Sequence, residues 1–276
     1  MALTRICWVL GAVVTTVTTS AALAAPPLVP HRAVYDIALV PEKSKGVSRA
    51  GGRIAFEFSG NACDGYSLNF RQVTQIDDGE GRSKLMDMRS ATWEEGEGKA
   101  FRFSLRNLVD NRTTQHADGE AARGRDGGVS VALKQPRPIR IDLPSEPVFP
   151  TEHTRRLIDA AQSGARSLAL PVFDGSDGGE KFFDTTAIIG AAVDPASDQR
   201  LEPAMHAAGF AGEKRWPVAI SYFDAEHTGD RTPVYVMAFD LFDNGIYSNI
   251  RFDFDDFSLS ARMSQFERLK EEGCRK

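Results

Sequence analysis

The sequence predicts a mainly β protein built on one large antiparallel sheet, with a single main helix near residues 151–163. Two observations carry this expectation. Apolar residues alternate with charged or small ones at period two in run after run along the 276-residue chain, the signature of half-buried strands. Gly-containing turn signals separate many of these runs, and only one segment has clear helical spacing, which favours hairpins over βαβ units. A sheet this long must curl, close or split to manage its edges.

In chain order, Tyr35, Ile37 and Leu39 share a face, then Ile54, Phe56 and Phe58, then Tyr66, Leu68 and Phe70. Asp78-Gly79 and Glu97-Gly98 read as turns before the run of Phe101, Phe103 and Leu105. Asp118-Gly119 reads as a further turn, and Asp126-Gly127-Gly128 introduces Val129, Val131 and Leu133. Ile139, Ile141 and Leu143 alternate inside a Pro-rich stretch. The helix follows: Thr151 is the expected N-cap after Pro150, Leu157, Ile158 and Ala161 lie on one face, and Gly164 is the stop. A second, shorter helix is expected over residues 198–208. The C-terminal runs are Val218, Ile220 and Tyr222; Tyr235, Met237, Phe239 and Leu241; Ile250, Phe252 and Phe254; and Phe257, Leu259 and Ala261, with Asp243-Asn244-Gly245 as a turn. No repeat and no linker divides the chain, so residues 25–276 read as one domain.

Residues 1–24 read as a cleaved secretory leader. Arg5 gives a basic start, Ile6 to Val14 an apolar core too short to span a bilayer, and Ala22-Leu23-Ala24 the small-x-small cleavage pattern. Cleavage between Ala24 and Ala25 places the mature chain in the periplasm. The leader removes one charge, Arg5, making the formal net charge of −5 one unit more negative. That balance argues against a general nucleic-acid binder, which needs a basic face. The leader also takes Cys7, leaving Cys63 and Cys274, and an even pair in an oxidising compartment reads as a disulfide.

Catalytic motifs are absent: there is no GxSxG, HExxH, P-loop, GxGxxG or metal-ligand spacing, and no cofactor or metal site is expected. His31, His116, His153, His206 and His227 are scattered, and His153 is expected to cap the helix or lie on the surface. Asp253 and Asp255 would share a strand face, the one arrangement open to a glycosidase carboxylate pair; the competing reading is a solvated strand. The segment Asp174-Gly175-Ser176-Asp177-Gly178-Gly179-Glu180 has oxygen donors for Ca²⁺ but lacks the EF-hand glutamate, and reads first as a Gly-rich turn. Asn111-Arg112-Thr113 matches a glycosylation sequon.

Several segments carry a family resemblance. Leu28 to Asp36 (LVPHRAVYD), Gly52 to Phe58 (GRIAFEF), Cys63-Asp64-Gly65-Tyr66 and Asn69-Phe70-Arg71 are followed by Ser90 to Gly96 (SATWEEG) and Phe149 to His153 (FPTEH). Phe173 to Gly179 (FDGSDGG) and Phe257-Ser258-Leu259 complete the set. In this order the chain resembles the EipB family of periplasmic cell-envelope integrity proteins. The resemblance implies a β-spiral, an open barrel similar to the lipoprotein-carrier (Lol) fold, with a disulfide joining an early Cys to one near the C-terminus, places held by Cys63 and Cys274. It also implies a role in maintaining the Gram-negative envelope, with no established catalytic residue or ligand.

The functional expectation is therefore a non-enzymatic protein that binds an envelope partner or a lipid or lipoprotein chain in its curved sheet. The alternative is an envelope glycan hydrolase. Phe and Leu at alternating positions supply more apolar surface than one sheet face and one helix can cover, so some of it should meet an acyl chain or another protein. The competing outcome is a sheet rolled shut around its own side chains.

Overall fold

The computed structural model describes residues 28–194, 200–227, 229, 231–271 and 273–274. The expected leader, with Ala24 and Ala25, lies outside the described residues. The strands are β1 (His31–Leu39), β2 (Arg49–Asn61), β3 (Gly65–Asp77), β4 (Ser83–Glu94), β5 (Ala100–Val109), β6 (Arg112–Arg123), β7 (Val129–Gln135) and β8 (Ile139–Asp142). They continue as β9 (Ser167–Val172), β10 (Phe183–Ile189), β11 (Arg215–Asp224), β12 (Tyr235–Phe242), β13 (Tyr247–Asp253) and β14 (Ser258–Arg268). The helices are α1 (Pro150–Gln162) and α2 (Pro203–Ala207).

All fourteen strands join one antiparallel sheet in the order β8-β7-β6-β5-β4-β3-β2-β1-β14-β13-β12-β11-β10-β9. The chain thus starts mid-sheet, winds outward to β8, crosses through α1 to the other edge, and winds back until β14 meets β1. The edges β8 and β9 do not pair along their length. Among the described residues one parallel bridge joins β9 to Val148 in the segment between β8 and α1, with the Val148 amide donating to the Pro171 carbonyl and the Phe173 amide to the Val148 carbonyl, each at 2.9 Å. The sheet is rolled but not closed, as the expected open barrel requires.

Alternation sets the two faces. In β1, His31, Ala33, Tyr35 and Ile37 are buried while Arg32, Asp36 and Ala38 are exposed. Two apolar clusters fill the inner side. One joins β1–β3 and β10–β14 to Leu157, Ile158 and Ala161 of α1 and Met205 of α2. The other gathers Phe101, Phe103, Val131, Leu133, Phe149 and Phe173 at the β5–β8 end. There Phe101 stacks on Phe149 with ring centres 5.2 Å apart, and Phe173 meets Phe103 edge-on at 5.5 Å.

Four strands escape the period-two reading, for two reasons. β4 and β6 put small or polar residues inward, such as Ser90 and Thr92, or Ala117, Gly119 and Ala121, so their alternation carries little apolar contrast. β9 contains Pro171 and lies at an edge, while β10 has Thr185 and Thr186 at its centre. Asp118-Gly119 is not a turn. It lies within β6, at a register shift against β7, and a Cβ on Gly119 would come within 2.9 Å of the Phe103 ring. The β5–β6 turn is instead Asp110-Asn111, both in the left-handed region, which places the sequon asparagine in a tight hairpin.

Thr151 does not cap α1. Phe149 holds the N-cap position without a side-chain bond, and the capping group comes from β4: Glu94, 3 % exposed, accepts the Thr151 amide at 2.6 Å and the Glu152 amide at 2.8 Å. Gly164 stops the helix as expected, in the left-handed region at φ +80°, with Ala165 N–H bonding back to Ala160 and Gly164 N–H to Ala161. The second helix is shorter than expected, starting at Pro203 because proline suits a first turn; residues 195–199 lie outside the described set.

Candidate functional site

The interior between the two halves of the rolled sheet is not fully packed. A cleft of about 450 Å³ is walled by residues including Met86, Met88, Val109, Tyr235, Phe252 and Phe254. Met86 and Phe254, which line it, are 45 % and 38 % exposed, so it reaches the surface through an apolar rim. Two smaller cavities of about 180 Å³ and 120 Å³ lie deeper, sharing His31, Phe56, Met237 and Tyr247. Asp174 lines both the large cleft and the first of these, and Phe252 both the large cleft and the second. The cleft falls in the ~300–1,000 Å³ range of small-ligand sites.

A few polar groups punctuate this surface. Asp174 opens the Gly-rich loop; its carboxylate accepts the Ser176 amide at 2.9 Å, and burial raises its pKa above the usual carboxylate range. Tyr222 and Tyr235 stack at 4.4 Å, and burial holds both hydroxyls in the protonated form. Tyr247, whose hydroxyl lies 2.6 Å from that of Thr154, is pushed up to about 12 for the same reason. His31 is clasped between Phe56 and Phe266, its Nδ1 2.7 Å from the Val29 carbonyl, and burial lowers its pKa to about 4. The smaller cavities thus present neutral imidazoles and un-ionised phenols, and the large cleft is mainly apolar with Gln72, Asp87, Asn107 and Asp174 among its polar lining.

His153 is neither a cap nor a surface residue. It is 5 % exposed on the inner face of α1, and burial lowers its pKa to about 4. Its Nε2 is buried without a hydrogen-bond partner among the described residues while the side chain lines the 180 Å³ cavity. Its neighbour Glu152 points away, toward Arg123 and Arg156, as adjacent helical positions require.

The Asp174–Glu180 loop packs as a wedge. A Cβ on Gly175 would lie 2.5 Å from Phe103 Cγ, and one on Gly179 would lie 2.6 Å from Phe103 Cε2, so the glycines admit the loop against that ring. Among the described residues no group of three or more acidic, His or Cys side chains is placed to hold a metal ion. The shared strand face read for Asp253 and Asp255, on which the alternative carboxylate pair depended, does not form. β13 ends at Asp253, whose carboxylate takes hydrogen bonds from Arg251 and Ser258, and Asp255 falls in the following turn, stapled by the Phe254 amide to the Phe257 carbonyl. They do not share a strand face.

Cys63 and Cys274 are bridged, with Cα atoms 5.5 Å apart. Cys63 sits in the β2–β3 turn, where Asn61 Oδ1 accepts the amides of Cys63 and Asp64 at 2.8 Å. At this end of the sheet His31 of β1 pairs with Phe58 of β2 on one side and Arg268 of β14 on the other. Only the width of β1 separates the two cysteine-bearing segments, although they lie 211 residues apart in sequence.

The EipB-like family model matches residues 22–270. The chain belongs to the EipB-like family. It is 34 % identical, over 250 residues covering 90 % of this chain and 87 % of the relative, to the cell envelope integrity protein EipB of Brucella abortus (strain 2308). It also superposes on the crystal structure of a β-barrel-like protein of a domain of unknown function from Brucella abortus, with a TM-score of 0.81 and 32 % identity, covering 90 % of this chain and all of that one. The family's rolled sheet thus spans nearly every described element of this chain. No helix among the described residues is long and apolar enough to cross a membrane.

Proposed function

We propose that this EipB-like chain is an exported, periplasmic protein that supports cell-envelope integrity by binding rather than catalysis, taking an acyl chain of an envelope lipid or lipoprotein into the rolled sheet. The observation that carries this reading is the unfilled apolar cleft of about 450 Å³, open past Met86 and Phe254. Apolar surface left wet is costly, at roughly 25 cal/mol per Å², and an acyl chain removes that cost without demanding a charged partner. The name of the Brucella relative supports the envelope role, and the leader-like N-terminus supports export. The pair on which the hydrolase alternative rested, Asp253 and Asp255, does not share a strand face.

The test is native mass spectrometry and displacement of a fluorescent fatty acid, using protein purified from a periplasmic extract. The expected result is saturable binding that falls at least tenfold on Met88→Trp, which fills the cleft. A wild-type protein that binds no acyl probe, or a Met88→Trp variant that binds it equally well, would overturn the reading.

A further inference from the structure

The outer face of the sheet carries a second feature, independent of the cleft. Strand register places Ala55, Arg71, Arg89, Arg106 and His116 directly opposite one another on β2 to β6, a straight row across five strands. Directly opposed residues on neighbouring strands have Cβ atoms only about 5 Å apart, and like charges there repel. Three consecutive arginines are thus an arrangement that folding alone disfavours.

Local carboxylates answer the repulsion only in part. Asp87 serves both Arg71, at 3.0 and 2.9 Å, and Arg89, at 2.7 Å, so one negative charge is shared by two guanidiniums. The paired arginines hold Asp87 well below the usual carboxylate range. Two further acids flank the row: Glu57, occupied by Arg32, and Asp118 of β6, which the register places opposite Ser104, outside the lining of the groove. Arg106 has no hydrogen bond, ion pair or ring partner among the described residues, and neither does His116. The next row along the same strands holds Asn69, Ala91 and Ser104, side chains short enough to leave a trough. The result is an open groove of about 560 Å³, lined by Arg32, Arg71, Arg89 and Arg106 against the single acid Glu57. On a chain whose formal net charge is −5, this strip is a local reversal of sign.

We propose that this groove binds the phosphate of an anionic lipid head group, held between the guanidiniums of Arg89 and Arg106 with His116 beside it. A phosphomonoester carries close to two negative charges and three acceptor oxygens, which matches planar guanidiniums offering several N–H donors each. The groove lies along an exposed sheet face instead of enclosing a solute, and small apolar side chains (Val34, Ala55 and Ala91) line it beside the arginines. That combination suits a head group presented at a surface better than a small free anion.

The experiment is flotation of the purified full mature protein with phosphatidylcholine vesicles, with and without phosphatidic acid, at low and at raised salt. Association with the phosphatidic-acid vesicles alone is expected, weakened by salt because the contacts are exposed. Arg106→Gln should lower it roughly tenfold, the value of one charge-assisted hydrogen-bonding group, and Arg89→Gln with Arg106→Gln should abolish it. Arg140→Gln, an exposed arginine on the remote edge strand β8, should leave it unchanged. Thermal melts of each variant confirm that these surface changes leave the fold intact. Equal flotation of wild type and the double variant would overturn the assignment, as would no flotation at all. Tight binding of inorganic phosphate without vesicle association would also overturn it, by assigning the groove to a soluble anion.

Discussion

The bond between Cys63 and Cys274 closes nearly the whole described chain into one loop, and replacing Cys274 by serine removes it. With a sequence separation of 211, the chain-entropy relation gives a stabilisation on the order of 5 kcal/mol at 25 °C, acting on the unfolded chain. This is an upper figure, because the unfolded ensemble is already compact and the long-loop relation overstates what bridges deliver. The folded state should lose little, since β1 alone separates the β2–β3 turn from the end of β14 and the strand pairings hold both in place. For a domain of this size each kcal/mol moves the midpoint by about 2–4 °C, so oxidised wild type should melt above Cys274→Ser by up to roughly 10–20 °C. Urea unfolding should also show a smaller slope for oxidised wild type, because a cross-linked unfolded chain exposes less surface. The decisive comparison is with reduced wild type, which should coincide with the variant. A midpoint for reduced wild type well above that of Cys274→Ser would refute the reasoning, by showing that the serine acts on the folded state. Coincidence of oxidised wild type with the variant would refute it from the other side.

Two further outcomes follow from the interior. His31 and His153 are buried neutral, both with pKa lowered to about 4 from 6.5, so the unfolded chain binds more protons between those values. Their stabilisation is complete above about pH 6.5 and is lost as pH falls toward 4, while buried Glu94, raised to about 7, works in the opposite sense between about pH 4.5 and 7. His31→Phe should therefore lose about 2 kcal/mol less, relative to wild type, at pH 5 than at pH 7.5, and equal losses at the two pH values in denaturant titrations would sink the argument. Gly175→Ala should destabilise by about 2–4 kcal/mol, combining a left-handed backbone with a Cβ 2.5 Å from Phe103 Cγ. Trimming Phe103 to Leu in the same chain should recover part of that loss, and a Gly175→Ala melt indistinguishable from wild type would contradict the packing.

Much of the fold was legible from local pattern. Runs such as Tyr35-Ile37-Leu39 and Phe101-Phe103-Leu105 could only be strands with one face buried, and Gly164 stops its helix through a conformation that other residues resist. What pattern could not reveal depended on partners far along the chain. Gly119 read as a turn because glycine usually marks one; its role is to clear space for Phe103, visible only once β6 lies beside β5. The cap of α1 was invisible because Glu94 is 57 residues from Thr151, and a side chain that distant has no sequence signal.

The candidate sites divide in the same way. Charge, hydropathy, cysteine parity and period two are properties of neighbours in sequence, so the sequence by itself determined the β class, the disulfide partners and the expectation of an exposed apolar surface. Strand order and register belong to the folded chain. They decided that Asp253 and Asp255 part company at a turn, that Asp174 enters the cleft, and that Arg71, Arg89 and Arg106 line up across three strands. Each of those arginines alternates unremarkably with its own neighbours. Only hydrogen bonding between strands, which fixes which residue faces which, makes a row of them.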